Sequence, residues 1–375
     1  MMNSEGTQIN YPTNSMADIC CQTTISKDFQ RGEIIMMTER EVFLETIKKG
    51  GGNPDRLANG WSAIKAVTGD PCNKFIRGNR IKGTDSIDQW GTFISFPEDQ
   101  PAAVPIVTTE NQVVQDIENW RDYVKVPDLI ANCSDGWEEV RERKKQIEDE
   151  GFISATIMGT GVFEQLHMLM TFEDTLCNLI LYPDEIKEMI EVIADYRMTY
   201  FKLIVENLHP QLIISHDDWG SNAQLFMEPD MWRDYFKETY RRFYDYLHEN
   251  DIIVMHHSDS FCEPIAEDMA DIGVDIWQGV LPSNDIVGLT ERLNGRMALM
   301  GGWDSAVDRE DATEEEIRKE TRRACDEYGH LKMFIPSITY GDPFGTIYPK
   351  TKGIVVDEVN QYNLEKYGHC MTEQV

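Results

Sequence analysis

Between Leu212 and Gly220 the chain concentrates side chains that can do chemistry. Three apolar residues, Leu212, Ile213 and Ile214, give way at once to Ser215, His216, Asp217, Asp218, Trp219 and Gly220. An imidazole beside two carboxylates can relay a proton or hold a metal ion. The pattern returns where Asp251, Ile252, Ile253, Val254 and Met255 end in His256, His257, Ser258, Asp259 and Ser260. Successive strand residues point to opposite faces, so only one of the two histidines faces a site at the strand end. The assignment made here is His257, with Asp259 on the same side and His256 in the packing. Imidazole plus carboxylate suits zinc, which makes His257 the metal candidate. One of Asp217 and Asp218 has a structural alternative, the capping of a following helix.

Other strand ends supply candidates for binding. Met158-Gly159-Thr160-Gly161 precedes Phe163 and Glu164, and its glycines either admit a ligand closely or make a turn. Met158 and Phe163 are candidate substrate contacts. Gln278, after Trp277, can orient a carbonyl or hydroxyl, while Trp219, Trp303 and Tyr340 offer flat apolar walls for an aromatic ligand. A Gly-rich phosphate loop, a GxSxG elbow and a Cys nucleophile beside a His are all missing from the sequence.

The elements that must position these residues alternate regularly. Short strands are expected at 153–158, 211–215, 252–256, 274–278, 297–301 and 331–335. Helices are expected at 184–208, 230–249, 261–271, 284–293 and 313–328. Such alternation predicts one α/β domain, a TIM (β/α)8 barrel with N-terminal additions, spanning 36–375. A strand over Trp90–Phe96 and a helix near Val113–Tyr123 decorate it. Residues 1–35 are polar and without period, and read as a disordered extension. Thr38 and Glu41 form a capping box where the ordered chain begins.

The chain has 375 residues and a net charge of -31, which repels nucleic acid and anionic membranes and favours small molecules, cations or proteins as partners. Its eight cysteines form no CxxC pair, as in a reduced cytoplasmic protein. No apolar run approaches the ~20 residues of a membrane-spanning helix. A homo-oligomer is compatible with all of this.

Taken together, several strings resemble the uroporphyrinogen decarboxylase superfamily. They are Ile214-Ser215-His216-Asp217-Asp218-Trp219-Gly220, Met227-Glu228-Pro229-Asp230-Met231-Trp232, His256-His257-Ser258-Asp259, Asp275-Ile276-Trp277-Gln278-Gly279 and Phe334 to Gly341. Within it the chain is most similar to the branch of veratrol:corrinoid-protein methyltransferases, from about Thr38 to Asn363. The resemblance implies a TIM barrel that moves a methyl group between a small methoxylated compound and a corrinoid carried by a partner protein. The Arg-rich segment of true decarboxylases, RQAGRYLPEY, is not reproduced by Arg77 and Arg80. Thiol-directed relatives bind zinc through His-x-Cys and a later Cys, where this chain has His257-Ser258-Asp259 and Ser337-Ile338-Thr339. Methyl-ether-cleaving relatives show E-x14-E-x20-H, matched by Glu173, Glu188 and His209. A continuous helix over 184–208 would separate Glu188 from His209 by roughly 30 Å, so His257 is preferred.

The resemblance implies that His257, or zinc bound to it, assists departure of the ether oxygen. His216, Asp217, Asp218 and Asp259 then tune charge or supply the proton, and Trp219, Trp303 and Tyr340 clamp the ring. Two other readings are a decarboxylase of a smaller acid, using Asp217 and Asp218 as proton source, and a barrel that only binds a corrinoid or aromatic ligand.

Overall fold

Short apolar runs buried on both faces build the centre of the molecule, as expected for parallel strands covered by helices. The computed structural model describes residues 36–78, 80–100, 102–339 and 348–370, so the expected extension 1–35 and Tyr340 lie outside the described residues. The strands are β1 (Ile64–Ala66), β2 (Thr84–Ile87), β3 (Phe93–Phe96), β4 (Val104–Pro105), β5 (Ile153–Met158), β6 (Leu212–His216), β7 (Ile253–His257), β8 (Ile276–Val280), β9 (Ala298–Gly302) and β10 (Phe334–Ser337). β1 and β5 to β10 form one parallel sheet in chain order, while β2, β3 and β4 form a separate antiparallel sheet. A Cβ on Gly60 would lie 3.5 Å from the Pro336 carbonyl of β10, so the seven-stranded sheet curls until its two edges approach. This is the TIM-barrel-like α/β fold.

Period two sorts each strand between two cores. Leu212 and Ile214 of β6, Met255 of β7, Ile276 of β8 and Met300 of β9 share the barrel interior with Val42 and Phe43 of the helix Glu39–Thr46. Ile213, Val254, Trp277 and Leu299, the alternate residues, pack outward against the helices. Of these helices, Pro183–Asn207 is the longest; Glu238–His248, Ile286–Leu293 and Glu314–Tyr328 also match their expected positions within a few residues.

Three expectations need correction. β1 was not anticipated, because three residues show no period. The region Val113–Tyr123 holds only a 3-10 helix, Ile117–Asp122, since Asp116 caps it late and Asn119 leaves helical geometry at φ -116° and ψ 27°. The segment 230–249 is helical but contains a π turn at Arg233–Lys237, a distortion that re-aims the residues beyond it. No helix among the described residues is long and apolar enough to cross a membrane.

Before β1, Arg56 is 1% exposed and reaches Glu39, Asp55 at 2.8 Å and the Met37 carbonyl at 2.9 Å. Its loss would strand a buried carboxylate. Arg56→Met is expected to destabilise the protein by about 3 kcal/mol in urea unfolding, and a change below about 0.5 kcal/mol would show that Glu39 finds water instead.

Candidate functional site

His216 ends β6 on the interior parity of Leu212 and Ile214, and His257 ends β7 on that of Met255. The two are register partners and their rings stand 4.7 Å apart. His216 Nε2 lies 3.5 Å from Asp218 Oδ2, and Nδ1 lies 3.4 Å from Glu164 Oε2. Among the described residues, His216, Asp218 and His257 present ligand atoms within 4.8 Å of one another, the one such group that could hold a metal ion. The site therefore sits at the C-terminal mouth of the barrel.

Gln278 decides which face of His257 is available. Its Nε2 donates to the Thr339 carbonyl at 3.1 Å, which turns its Oε1 toward His257 Nδ1. The imidazole then donates from Nδ1 and keeps its lone pair on Nε2, the tautomer that suits a metal or a proton acceptor. Gln278, 1% exposed, orients His257 and not a substrate carbonyl.

Asp217, on the opposite parity, turns away from the mouth. It is fully buried and accepts from Phe163 N at 3.0 Å, Glu164 N at 2.9 Å, Trp219 Nε1 at 3.1 Å and the Tyr240 hydroxyl. Two of these donors are the otherwise unsatisfied amides at the start of the helix Val162–Leu169. Asp217 thus caps a helix that lies far from it in sequence. Burial raises its pKa against these donors, and its carboxylate does not join the cluster at the mouth, where a proton source was expected.

Of the aromatic walls, Trp219 is fully buried, stacked 4.0 Å from His256, and Trp303 is 1% exposed in the barrel-interior core. Tyr340 lies outside the described residues. Met158 and Phe163 are fully buried. His256 takes its expected packing place, its Nδ1 2.7 Å from the Tyr244 hydroxyl. Asp259 donates its backbone N–H to Asp218 Oδ1 at 3.2 Å, and its carboxylate is not among the three clustered ligands. Glu188 pairs at the surface with Arg121 at 2.6 Å, so the helix Pro183–Asn207 keeps it from His209.

Sequence reasoning missed Glu164 as a site residue, although its place three residues after Gly161 marks a helix start. Glu164 accepts from Gly161 N at 3.0 Å. Also missed was a partly exposed aromatic group of His167, Phe172 and Phe226, with ring centroids 5.7 and 4.9 Å apart in that order. Phe163 backs it, stacked 5.8 Å from Phe226. The i, i+4 spacing of Phe163 and His167 was the available signal.

Burial and charge set the protonation of the cluster. Burial opposes a charge on His216, but Glu164 and Asp218 override it and push its pKa up to about 10. Burial also opposes ionisation of Asp218, yet the hydrogen bond and charge of His216 hold it well below the usual carboxylate range. Burial, with nearby Asp218 and Asp217, raises Glu164 against the pull of His216. His257 is lowered by burial and by the charge of His216, so it stays neutral. The mouth therefore pairs one imidazolium with one neutral imidazole.

The class follows from fold and site together: an α/β barrel with a His-Asp-His cluster at its C-terminal mouth. Residues 87–362 match the uroporphyrinogen decarboxylase (URO-D) family, and the chain belongs to it. Among solved structures, a methyltransferase from Methanosarcina mazei is 17% identical, with 87% of this chain and 99% of that chain covered and a TM-score of 0.60. A D-psicose 3-epimerase determined with D-fructose is 9% identical, with 62% and 85% covered and a TM-score of 0.37. No curated protein matches the chain.

Two outcomes test the cluster. Gln278→Met, which removes the acceptor at His257 Nδ1, is expected to weaken Zn²⁺ binding roughly 10- to 100-fold in a chelator competition. Equal affinity would mean that His257 is not a ligand. Because His216 must lose its proton to bind metal, and its pKa lies at about 10, affinity should rise with pH between about 6.5 and 8.5, by up to about tenfold per unit. A flat profile would remove His216 from the ligand set.

Proposed function

We propose that the chain is a methyltransferase that moves a methyl group from a small methoxylated compound, with an aromatic ring the fitting candidate, to a corrinoid carried by a partner protein. The observation that carries this reading is the His216-Asp218-His257 cluster, open to the barrel mouth and flanked by His167, Phe172 and Phe226. The shared fold of the Methanosarcina mazei methyltransferase supports it as fold alone.

In the donor direction the C–O bond would break with its electron pair moving to oxygen, and the electron pair for the new bond to carbon would come from the reduced corrinoid of the partner protein. The departing phenoxide has a pKa near 10, as the Tyr phenol does. His216, with its pKa pushed up to about 10, is matched to give that oxygen its proton, and Asp218 and Glu164 hold the imidazolium in place. His257, neutral and locked by Gln278, presents Nε2 to the same space. The aromatic group of Phe172, Phe226 and His167 packs the ring of the donor.

The donor set also fits zinc: two imidazoles and a carboxylate converge, and the second partner of His257 fixes its tautomer. His216, Asp218 and His257 would hold the ion, which would supply Lewis acidity at the ether oxygen in place of the His216 proton. No thiolate joins the set, so an oxygen leaving group suits it better than activation of a thiol. A decarboxylase using Asp217 as acid is disfavoured by the four donors that already occupy that carboxylate.

The test is anaerobic visible absorption of the protein mixed with reduced corrinoid protein from the same source and a panel of methoxybenzenes, methylamines and betaines. Conversion of Co(I) to methyl-Co(III) is expected with a methoxybenzene, and to fall about 100-fold or more in His216→Gln. Conversion with no donor, and no loss of methyl from methyl-Co(III), would reject the reading.

A further inference from the structure

The helix side of the Gly159-Thr160-Gly161 turn carries a second, differently charged feature. A narrow cavity of about 40 Å³ lies there, with Arg77, Arg80, Gln165 and Arg197 in its lining. Its one lining carboxylate is Asp88, whose Oδ1 accepts from the Trp90 and Thr92 amides at 2.9 Å each and whose charge attracts Arg80 without closing to an ion pair. Among the described residues neither Arg77 nor Arg80 has an ion-pair partner within 4.0 Å. That is unexpected in a chain with 66 acidic residues against 35 basic ones.

Local geometry brings the guanidinium groups inward. A Cβ on Gly159 would meet Arg77 Nη2 at 3.1 Å, so the glycine admits the guanidinium against the end of β5. Arg197, 3% exposed, spends its Nη atoms on the carbonyls of Met158 at 3.0 Å and Thr160 at 2.5 Å. Four buried polar groups on the lining residues remain without a partner: Arg80 Nε, Gln165 Nε2, the Tyr196 hydroxyl and Arg197 Nε. Unpaired buried donors are costly, and two adjacent guanidinium groups repel each other. Consistent with that, burial and Arg77 lower the pKa of Arg80 against the pull of Asp88.

We infer that this cavity is a binding site for the oxyanion of a small ligand, a carboxylate or phosphate group held by Arg77 and Arg80. The guanidinium fork suits both groups, because each offers two oxygens in one plane. The site is separate from the mouth cluster. Asp217, whose Cγ lies 2.0 Å from where a Gly161 Cβ would be, stands between the turn and the helix Val162–Leu169. The inference needs neither the methyl donor nor the corrinoid, and its test does not use them.

Isothermal titration calorimetry on the full chain, with sodium phosphate, acetate and benzoate at ionic strength matched by sodium chloride, provides that test. At least one of these anions should bind. Binding should weaken about tenfold or more in Arg77→Gln and in Arg80→Gln, and less in Arg80→Lys, which keeps the charge without the fork. Circular dichroism and the melting temperature of each variant verify that it is folded. Phosphate alone binding would assign a phosphate-bearing ligand, and acetate or benzoate alone an organic acid. No heat from any anion, or equal affinity in both folded glutamine variants, would overturn the inference.

Discussion

The buried carboxylate of Asp217 is the constraint on which the rest of the site depends. It leaves β6 on the outward parity, yet it receives two amides of the helix Val162–Leu169, the indole of Trp219 and the hydroxyl of Tyr240. Four donors offset part of the cost of burying one acid, although burial still raises its pKa, and the positive end of the helix it caps favours its charge. Through it the first turn of that helix is fixed against β6. Glu164, in that turn, is thereby brought to 3.4 Å from His216. Gly161 is tied to the same place by space alone, since no side chain could stand between its backbone and Asp217.

From that anchor, the strand period distributes the remaining roles. One residue along from Asp217, Asp218 belongs to the mouth and takes its charge from His216. One strand over, His256 and His257 divide the same way, into a ring stacked on Trp219 and a ring facing His216. Two adjacent residues of one type can thus serve packing and chemistry separately, because a strand presents alternate faces.

This period explains what could be read in advance. β5, β6 and β7, the switch from apolar to polar at their ends, and the split between His256 and His257 were all legible, because buried parallel strands leave few other patterns. The division of labour between Asp217 and Asp218 was not, since the capped amides sit far away in sequence and carry no side-chain signature. Trp219 and Trp303 were expected as walls because an indole suits a ligand and a core equally well; burial alone separates the two. The Arg77 and Arg80 cavity was illegible for a different reason. Arg77 ends the short helix Pro71–Arg77 and Arg80 follows it, outside the β/α rhythm, and the pairing of β1 with β5 brings that segment to the end of β5.

Charge is what the two sites divide between them. At the mouth, Glu164 and Asp218 face His216, so its positive charge is favoured and neutralised by acids already in place. Behind the β5 turn the order is reversed, with guanidinium groups gathered around one acid, Asp88, whose Oδ1 is bound by its own turn. The turn Gly159-Thr160-Gly161 separates the two environments, and Thr160 holds it at φ +60°, a left-handed conformation that a threonine adopts only under constraint. The Arg197 bond to the Thr160 carbonyl supplies part of that constraint. The strained turn therefore belongs to both environments: Gly159 lets Arg77 approach closely on one side, and Gly161 leaves space for Asp217 on the other that no side chain there would permit.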